Sequence, residues 1–174
     1  MKSQESSADI SCNSEPGSKP EQKQATFALD NFLPYRLALL SSLVSGSIQK
    51  LYASEFDISI PEWRLVAILG SDGPMTANDI RQRAAMDKVQ VSRAAAKLLN
   101  AGHIRKQVHP DDKRRATLSL SDSGLAIYNQ IVPMALEREA HLSSTLTRKE
   151  KENLIHLLEK LTKIAQSMTT TPLT

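Results

Sequence analysis

The sequence predicts a mainly α-helical protein with one small β-hairpin. Leu, Ala and Ile are frequent, whereas aromatic residues make up only 4% of the 174 residues. Apolar side chains recur every three or four residues over most of residues 31–168, as they do along amphipathic helices. Residues 104–120 differ, because two strand-like segments flank a short polar tip there. With 40% hydrophobic residues, the chain is long enough for one well-packed domain and too short for two large ones.

The N-terminal segment, residues 1–28, is rich in Ser, Glu, Gln, Lys and Pro and poor in large apolar side chains. Such a segment buries too little surface to offset the entropy lost on ordering, so a disordered tail is expected. The single cysteine, Cys12, lies in this tail and excludes a disulfide framework within one chain. Redox sensing through Cys12 remains an alternative function, although no base or helix end is expected nearby to activate the thiol.

Helices are predicted at both ends of the remaining chain. The first covers residues 31–56, and its apolar surface is broader than packing on one core requires. Ser121 caps a long helix to about residue 143, which Pro133 should kink or make bulge. Thr147 and Glu150 form a capping box that opens a last, broadly apolar helix. Surplus apolar surface at both ends predicts a dimerisation region made of residues 29–56 and 121–170.

The middle of the chain carries the start and stop signals of three further helices. Capping-box spacings open the first at residues 59–62 and the second at residues 76–79. The Gly- and Pro-containing residues 70–74 end the first helix. Asp87 caps the third helix, which stops at Gly102 just before the hairpin.

The order of a short helix, a brief turn, a second helix and a hairpin is that of a winged helix-turn-helix, predicted here for residues 57–120. Charge supports a nucleic-acid partner for this lobe. Residues 81–115 contain ten Lys or Arg and three Asp, a net charge of +7, whereas the whole chain carries +3. Basic charge concentrated on one element is typical of DNA-binding proteins, and a merely solvated helix surface is the alternative.

The third of these helices has the pattern of a recognition helix, whose N-terminal residues meet base edges in the major groove. Gln90 can form two hydrogen bonds with adenine, and Arg93 can bind guanine or a phosphate. An ordinary surface helix is the alternative. The positions expected to face the core are Val89, Ala94, Ala95, Leu98 and Leu99. The predicted DNA contacts are Lys88, Gln90, Ser92, Arg93 and Lys97.

The tip of the hairpin is acidic and then basic. Pro110 and Asp111 turn the chain, and Asp112 lies two residues before Arg114, where its carboxylate can hold the guanidinium extended. Arg114 is then predicted to enter the minor groove of DNA. A solvated tip without a partner is the alternative. The predicted wing contacts are Asp112, Lys113, Arg114 and Arg115.

Motifs within one stretch of the chain resemble the MarR family of bacterial regulators. A leucine pair and a glycine in residues 98–102 precede the wing, whose family pattern is D-P-x-D-x-R, and an L-x-L-T-x-x-G pattern follows at residues 118–124. Here His109 replaces the first aspartate and Ser121 replaces the threonine. The resemblance extends over about residues 32–168. It implies a triangular, MarR-like obligate homodimer that binds pseudo-palindromic operator DNA and is released by a small ligand, commonly a phenolic or aromatic carboxylate.

Residues 31–37, 60–64 and 86–89 are also similar to a subgroup that controls hydroxycinnamate and related aromatic catabolism. The resemblance implies a repressor of such genes, whose effector is an aromatic acid or its coenzyme A thioester. It places that ligand between the dimerisation helices and the DNA-binding lobe. Arg36 suits a carboxylate, while Trp63 or Tyr35 suits an aromatic ring. The alternatives are that Arg36 reaches a glutamate or solvent and that Trp63 fills the core. The predicted effector contacts are Tyr35, Arg36, Leu40 and Trp63.

Other function classes find little support in the residues. There is no Gly-rich phosphate loop, and the four histidines do not form a metal-spaced set with Cys12, so no enzyme activity, metal or cofactor is expected. No apolar run approaches the roughly 20 residues of a membrane span, and no secretory signal is recognisable, so a cytoplasmic location is expected. A winged-helix protein-interaction module remains an alternative, since this fold does not require DNA binding.

Overall fold

The computed structural model describes residues 27–109 and 112–170, and the side chains within residues 27–108 and 116–168. Residues 1–26 of the predicted tail, Cys12 among them, lie outside this description, as do Pro110 and Asp111 at the wing tip. A short 3₁₀ helix, Leu29–Asn31, comes first. The elements that follow are α1 Leu33–Phe56, α2 Ile60–Asp72, β1 Met75–Thr76, α3 Ala77–Ala84, α4 Lys88–Asn100, β2 Ile104–His109, β3 Asp112–Leu120, α5 Asp122–Ser143 and α6 Arg148–Thr170.

The predicted fold class is confirmed, since a small antiparallel sheet lies among helices that make up most of the described chain. The strand order is β1-β3-β2, and β2 and β3 form the predicted hairpin, with Ile104 opposite Leu120. The sequence patterns did not predict β1, in which Met75 pairs with Leu118. Two residues are too short for a periodic signal, and their partner lies far along the chain.

The core is built around α2. Leu65 and Val66 of this helix are fully buried, and fully buried side chains from the neighbouring helices surround them. These neighbours are Tyr52 of α1, Ile80 of α3, Leu98 of α4 and Ile131 of α5. The same cluster includes Ile104 of β2 and Leu118 of β3. Because side chains of α1 to α5 and of both hairpin strands share one core, the core fixes α3 and α4 relative to the hairpin.

The predicted helix starts are found in the structure. The carboxylate of Glu62 accepts hydrogen bonds from the backbone N–H and the hydroxyl of Ser59, at 3.2 and 2.8 Å. The Thr76 hydroxyl accepts from the backbone N–H of Asp79 at 3.2 Å. Thr147 and Glu150 close the third box. A side-chain cap contributes about 1 kcal/mol, so these local bonds define where each helix begins.

The turn between α4 and β2 packs tightly on the start of α5. The Ser121 hydroxyl donates to the carbonyl of Gly102 at 2.6 Å and accepts from the N–H of Gly124 at 3.1 Å, while the Ser121 N–H donates to the carbonyl of His103 at 3.0 Å. A Cβ atom on Gly124 would overlap that His103 oxygen. The base of the wing is therefore anchored to α5 through a contact that only glycine permits.

Pro133 lies inside α5 without ending the helix.

Both ends of the described chain expose apolar side chains. The N-terminal half of α1 and most of α6 present large aliphatic or aromatic groups to solvent in the single chain. More than a third of each of the following is exposed: Phe32, Leu33, Leu37, Leu39, Leu40, Leu43, Leu154, Ile155, Leu157, Leu158, Leu161, Ile164 and Met168.

Candidate nucleic-acid interface

The first turn of α4 is held by a reciprocal capping box. The Asp87 carboxylate accepts a hydrogen bond from the backbone N–H of Gln90 at 2.7 Å, and the Gln90 side-chain oxygen accepts from the N–H of Asp87 at 3.2 Å. The predicted N-cap at Asp87 is therefore present. Gln90 has a second role that sequence reasoning missed, because its amide oxygen already serves the cap and must leave it to pair with adenine through two bonds.

The buried side of α4 differs from the prediction at two positions, Val89 and Val91. Val91, Ala94, Ala95 and Leu98 are buried, whereas Val89 is 55% exposed and Leu99 only half-buried. The prediction that Val89 faces the core was wrong. Val89 and Val91 are two residues apart and therefore point about 200° apart around the helix, so only one of them can join the core.

Val89, Ser92, Arg93 and Ala96 are exposed and lie close together around the helix axis, so they form one stripe along α4. The N-terminal half of the stripe carries the predicted contacts Ser92 and Arg93. Lys88, the first residue of α4, is exposed beside it. The helix therefore presents a cation, a hydroxyl and an apolar group at its N-terminal end, where a recognition helix meets base edges.

A cleft of about 1500 Å³ separates α4 from the hairpin. Lys88 and Ser92 line one wall, Arg81 of α3 another, and Lys106 of β2 the third. Arg81 and Lys106 were counted in the local positive charge of the sequence but were not singled out as contacts. Their approach to Lys88 depends on the packing of α3 and β2 around α4, which the sequence alone does not give.

Lys97 has a protein partner. Its ammonium lies 3.3 Å from the carboxylate of Glu62 and 3.5 Å from the carbonyl oxygen of Asp57. Glu62 is buried, with only 5% of its surface exposed. The structure thus ties Lys97 to the start of α2, beside rather than within the exposed stripe, and Lys97 contributes the counter-charge that a buried carboxylate needs.

The wing is present as β2 and β3, and the pairing becomes irregular where His109 faces Asp112. The backbone of Asp112, Lys113, Arg114 and Arg115 belongs to β3, while their side chains lie outside the described residues. Their predicted contacts with DNA therefore stay predictions. At the base of the wing, Arg105 pairs with Asp122 of α5 at 3.1 Å.

The predicted effector residues fall into two separate places within one chain. Tyr35, Arg36 and Leu40 lie near the N-terminal end of α1, where Arg36 and Leu40 are exposed. The Trp63 ring lies 5.8 Å from that of Tyr52, near the other end of α1. Arg36 and Tyr52 are 16 residues apart, or about 24 Å along a helix. One chain therefore does not bring Arg36 and Trp63 to the same small ligand.

Two tyrosines that the prediction did not include surround Trp63. The Tyr128 ring stacks on Trp63 at 6.5 Å, with the Tyr52 ring on α1 also adjacent. Tyr52 is fully buried, and its hydroxyl has no hydrogen-bond partner among the described residues. Burial raises the pKa of Tyr52 to about 12. Tyr52 was recognisable as part of the apolar stripe of α1, but nothing in the sequence linked Tyr128 to Trp63.

Within the described residues, no helix is long and apolar enough to cross a membrane. In the same part of the chain, no three His, Cys, Asp or Glu side chains are grouped to hold a metal ion.

Comparison with known proteins adds independent information. Residues 56–115 match the model of the MarR family. A homoprotocatechuate degradative operon repressor from Escherichia coli is 24% identical over 106 residues, which cover 61% of this chain and 72% of the repressor. A MarR/EmrR family transcriptional regulator from Acinetobacter sp. ADP1 has a similar structure, with 27% identity, a TM-score of 0.75, and coverage of 81% of this chain and 99% of that one. NadR in complex with 4-hydroxyphenylacetate shares 23% identity and a TM-score of 0.67, over 81% of this chain and 97% of that one.

The segment matched by the family model begins at the end of α1 and includes α2, α3, α4 and the hairpin up to Arg115. It therefore contains the exposed stripe, most of the residues that line the cleft and the basic end of the wing. The proteins matched are transcriptional regulators and not enzymes. The resemblance found in the sequence is confirmed: residues 56–115 match the MarR family, and the chain is similar in sequence and structure to DNA-binding transcriptional regulators of that family.

Proposed function

We propose that this chain is a homodimeric repressor that binds a pseudo-palindromic operator and is released from it by a small aromatic acid. The observation that carries the proposal is the N-terminal half of α4, where Ser92 and Arg93 are exposed beside a cleft whose lining includes the cations Arg81, Lys88 and Lys106. A helix and a hairpin separated by such a cleft suit the major groove and the adjacent backbone. Residues 57–120 would form this DNA-binding lobe.

DNA binding gives a role to polar groups along α4, in the cleft and on the wing. Arg93 binds a base edge or a phosphate, while Lys88 and Ser92 bind phosphates. Arg81 and Lys106 face the same cleft and add positive charge along the backbone. Arg114 of the wing enters the minor groove, which is electronegative where it is narrow.

Dimerisation follows from the exposed apolar sides of α1 and α6. Contiguous apolar surface in contact with water is unfavourable by about 25 cal/mol per Å², so these helices favour a partner. A second copy of the chain supplies the same surface around a two-fold axis. Residues 29–56 and 121–170 would form the dimerisation region, and two symmetric copies of α4 would then meet two half-sites of an operator.

An aromatic effector is supported by the cluster around Trp63. The rings of Trp63, Tyr52 and Tyr128 offer flat apolar surfaces, and the Tyr52 hydroxyl, which has no partner in the described part of the chain, offers a hydrogen-bond donor to a carboxylate. The Escherichia coli relative is named for homoprotocatechuate, and NadR was solved with 4-hydroxyphenylacetate, both aromatic acids. A hydroxycinnamate-type acid or its coenzyme A thioester has this chemistry. Arg36 of the same chain lies too far along α1 to reach this cluster, so Arg36 contributes only across the dimer or not at all.

The DNA-binding part is tested by fluorescence anisotropy with an operator selected from random duplexes. Affinity should fall steeply between 50 and 200 mM salt, because phosphate contacts release bound cations. Arg93→Ala should weaken binding roughly tenfold or more, whereas Arg148→Ala, which removes an exposed cation on α6, should not. A flat salt dependence with equal affinities for the two variants would instead favour a winged-helix protein-interaction module.

The effector part is tested by adding 4-hydroxycinnamate, or its coenzyme A thioester, to the protein–operator complex. Release of DNA is expected because the ligand stabilises a dimer with wrongly spaced recognition helices. Tyr52→Phe should keep DNA affinity and require a higher ligand concentration, while Arg36→Ala tests the predicted contact at the other end of α1. A normal response of both variants would exclude both residues from the effector site.

A further inference from the structure

Val89 is an apolar side chain in a place where packing does not explain it. It is the second residue of α4, it is 55% exposed, and Val91 takes the buried position two residues later. Arg93 lies one helical turn farther along the same exposed stripe. A valine held in water at the N-terminal end of a DNA-binding helix lacks the apolar neighbours that would stabilise it in a core.

The chemistry of the major groove limits what Val89 can bind. Its side chain can neither donate nor accept a hydrogen bond, so it cannot read the polar edges of adenine, guanine or cytosine. The thymine C5-methyl group is the apolar feature that a base pair presents in this groove. Residues at the N-terminal end of a recognition helix are the ones that reach base edges. An exposed valine there is matched to a methyl group.

We propose that Val89 is a specificity-determining residue that contacts the methyl group of one thymine in each half-site of the operator. The proposal rests on DNA binding through α4 and adds the identity of one base. Two further features suit it. A β-branched side chain in a helix has one dominant χ1 rotamer, so Val89 loses little conformational entropy on contact. Ala96 continues the stripe with a small side chain, which leaves α4 room to approach the bases.

The experiment separates the methyl group from the rest of the thymine. Full-length protein selects its binding sequence from a random duplex library, and each thymine of that sequence is then replaced singly by deoxyuridine, which lacks only the C5-methyl. Removing one methyl contact should weaken wild-type binding about fourfold in one half-site and about fifteenfold in both. For Val89→Ala, the same replacement should change affinity by less than twofold, because both γ-methyl groups are already absent.

Matched measurements exclude trivial causes. Alanine has the higher helix propensity, so Val89→Ala should unfold at the same temperature as the wild type or above it. Val89→Thr keeps one γ-methyl group and should retain part of the sensitivity to deoxyuridine.

Each outcome decides something. The proposal is supported if one thymine methyl group per half-site contributes to the affinity of the wild type and not to that of Val89→Ala. The proposal is overturned if Val89→Ala binds all sequences more weakly and keeps every deoxyuridine effect. Val89 would then contact the sugar–phosphate backbone of the DNA. A protein that enriches no sequence overturns this proposal together with DNA recognition by α4, whereas enrichment without coupling overturns only the role of Val89.

Discussion

Replacing Gly124 by alanine tests whether the junction between the wing and α5 holds the lobe together. The new Cβ would overlap the His103 carbonyl oxygen, and neither backbone segment is free to move alone. The start of α5 is fixed by the Ser121 hydroxyl, which bonds both Gly102 and Gly124. The substitution must therefore separate α5 from the turn that begins the wing.

The expected loss of stability has two sources, steric overlap and weakened hydrogen bonds. Overpacking of this kind destabilises by about 1–3 kcal/mol. Separation also stretches the bonds from Ser121 to the carbonyls of Gly102 and His103, each with a net contribution of about 1 kcal/mol. The sum is about 3–5 kcal/mol, which lowers the midpoint of thermal unfolding by roughly 10 °C or more for a chain of this size.

Gly46→Ala is the matched control, because it makes the same change inside α1. A Cβ at Gly46 meets no atom within 4 Å in the single chain, so alanine should stabilise the helix by about 0.5–1 kcal/mol. Both variants are unfolded thermally and in urea, with circular dichroism as the readout. Equal stability of the two variants would refute the claim that the junction requires glycine at position 124.

Further substitutions probe single contacts. Tyr52→Phe should raise the free energy of unfolding at pH 7 by about 1 kcal/mol in urea denaturation, because it removes a buried hydroxyl without a partner in the described structure. Burial raises the pKa of Tyr52 to about 12, so the free energy of unfolding of the wild type should lose nothing through Tyr52 below pH 10 and should fall as the pH rises toward 12. Tyr52→Phe should not show this fall. Lys97→Met should lower the free energy of unfolding by about 1–2 kcal/mol, and adding Glu62→Gln should restore most of that loss. If the effects of the two substitutions on stability are strictly additive, the ion pair does not contribute. Ala85→Gly should stabilise by up to about 1 kcal/mol, because Ala85 has a φ of +50°, and a loss of stability would contradict this.

Local features of this fold could be predicted from the sequence. The helix starts at Ser59, Thr76, Asp87 and Thr147 depend on side chains three residues apart, and the structure contains every one of these caps. The wing hairpin was equally accessible, because its two strands adjoin in the chain.

Features that depend on distant residues could not be predicted. The pairing of Met75 with Leu118, the ion pair of Lys97 with Glu62 and the stacking of Tyr128 on Trp63 each join separate segments. The choice between Val89 and Val91 failed for another reason. Both residues satisfy an apolar pattern, and only the position of α2 and the sheet decides which valine is covered.

The capping box at the start of α4 makes readout by Gln90 conditional. If Gln90 pairs with adenine as predicted, the pair requires the amide oxygen that now accepts from the Asp87 N–H, and α4 loses a cap contribution of about 1 kcal/mol. Opposite any other base, Gln90 can stay in the cap and keep α4 stable. We therefore expect shallow discrimination at the base pair that Gln90 is predicted to contact. For the proposed repressor, operators that differ there would remain usable, so one protein would serve several promoters of graded strength.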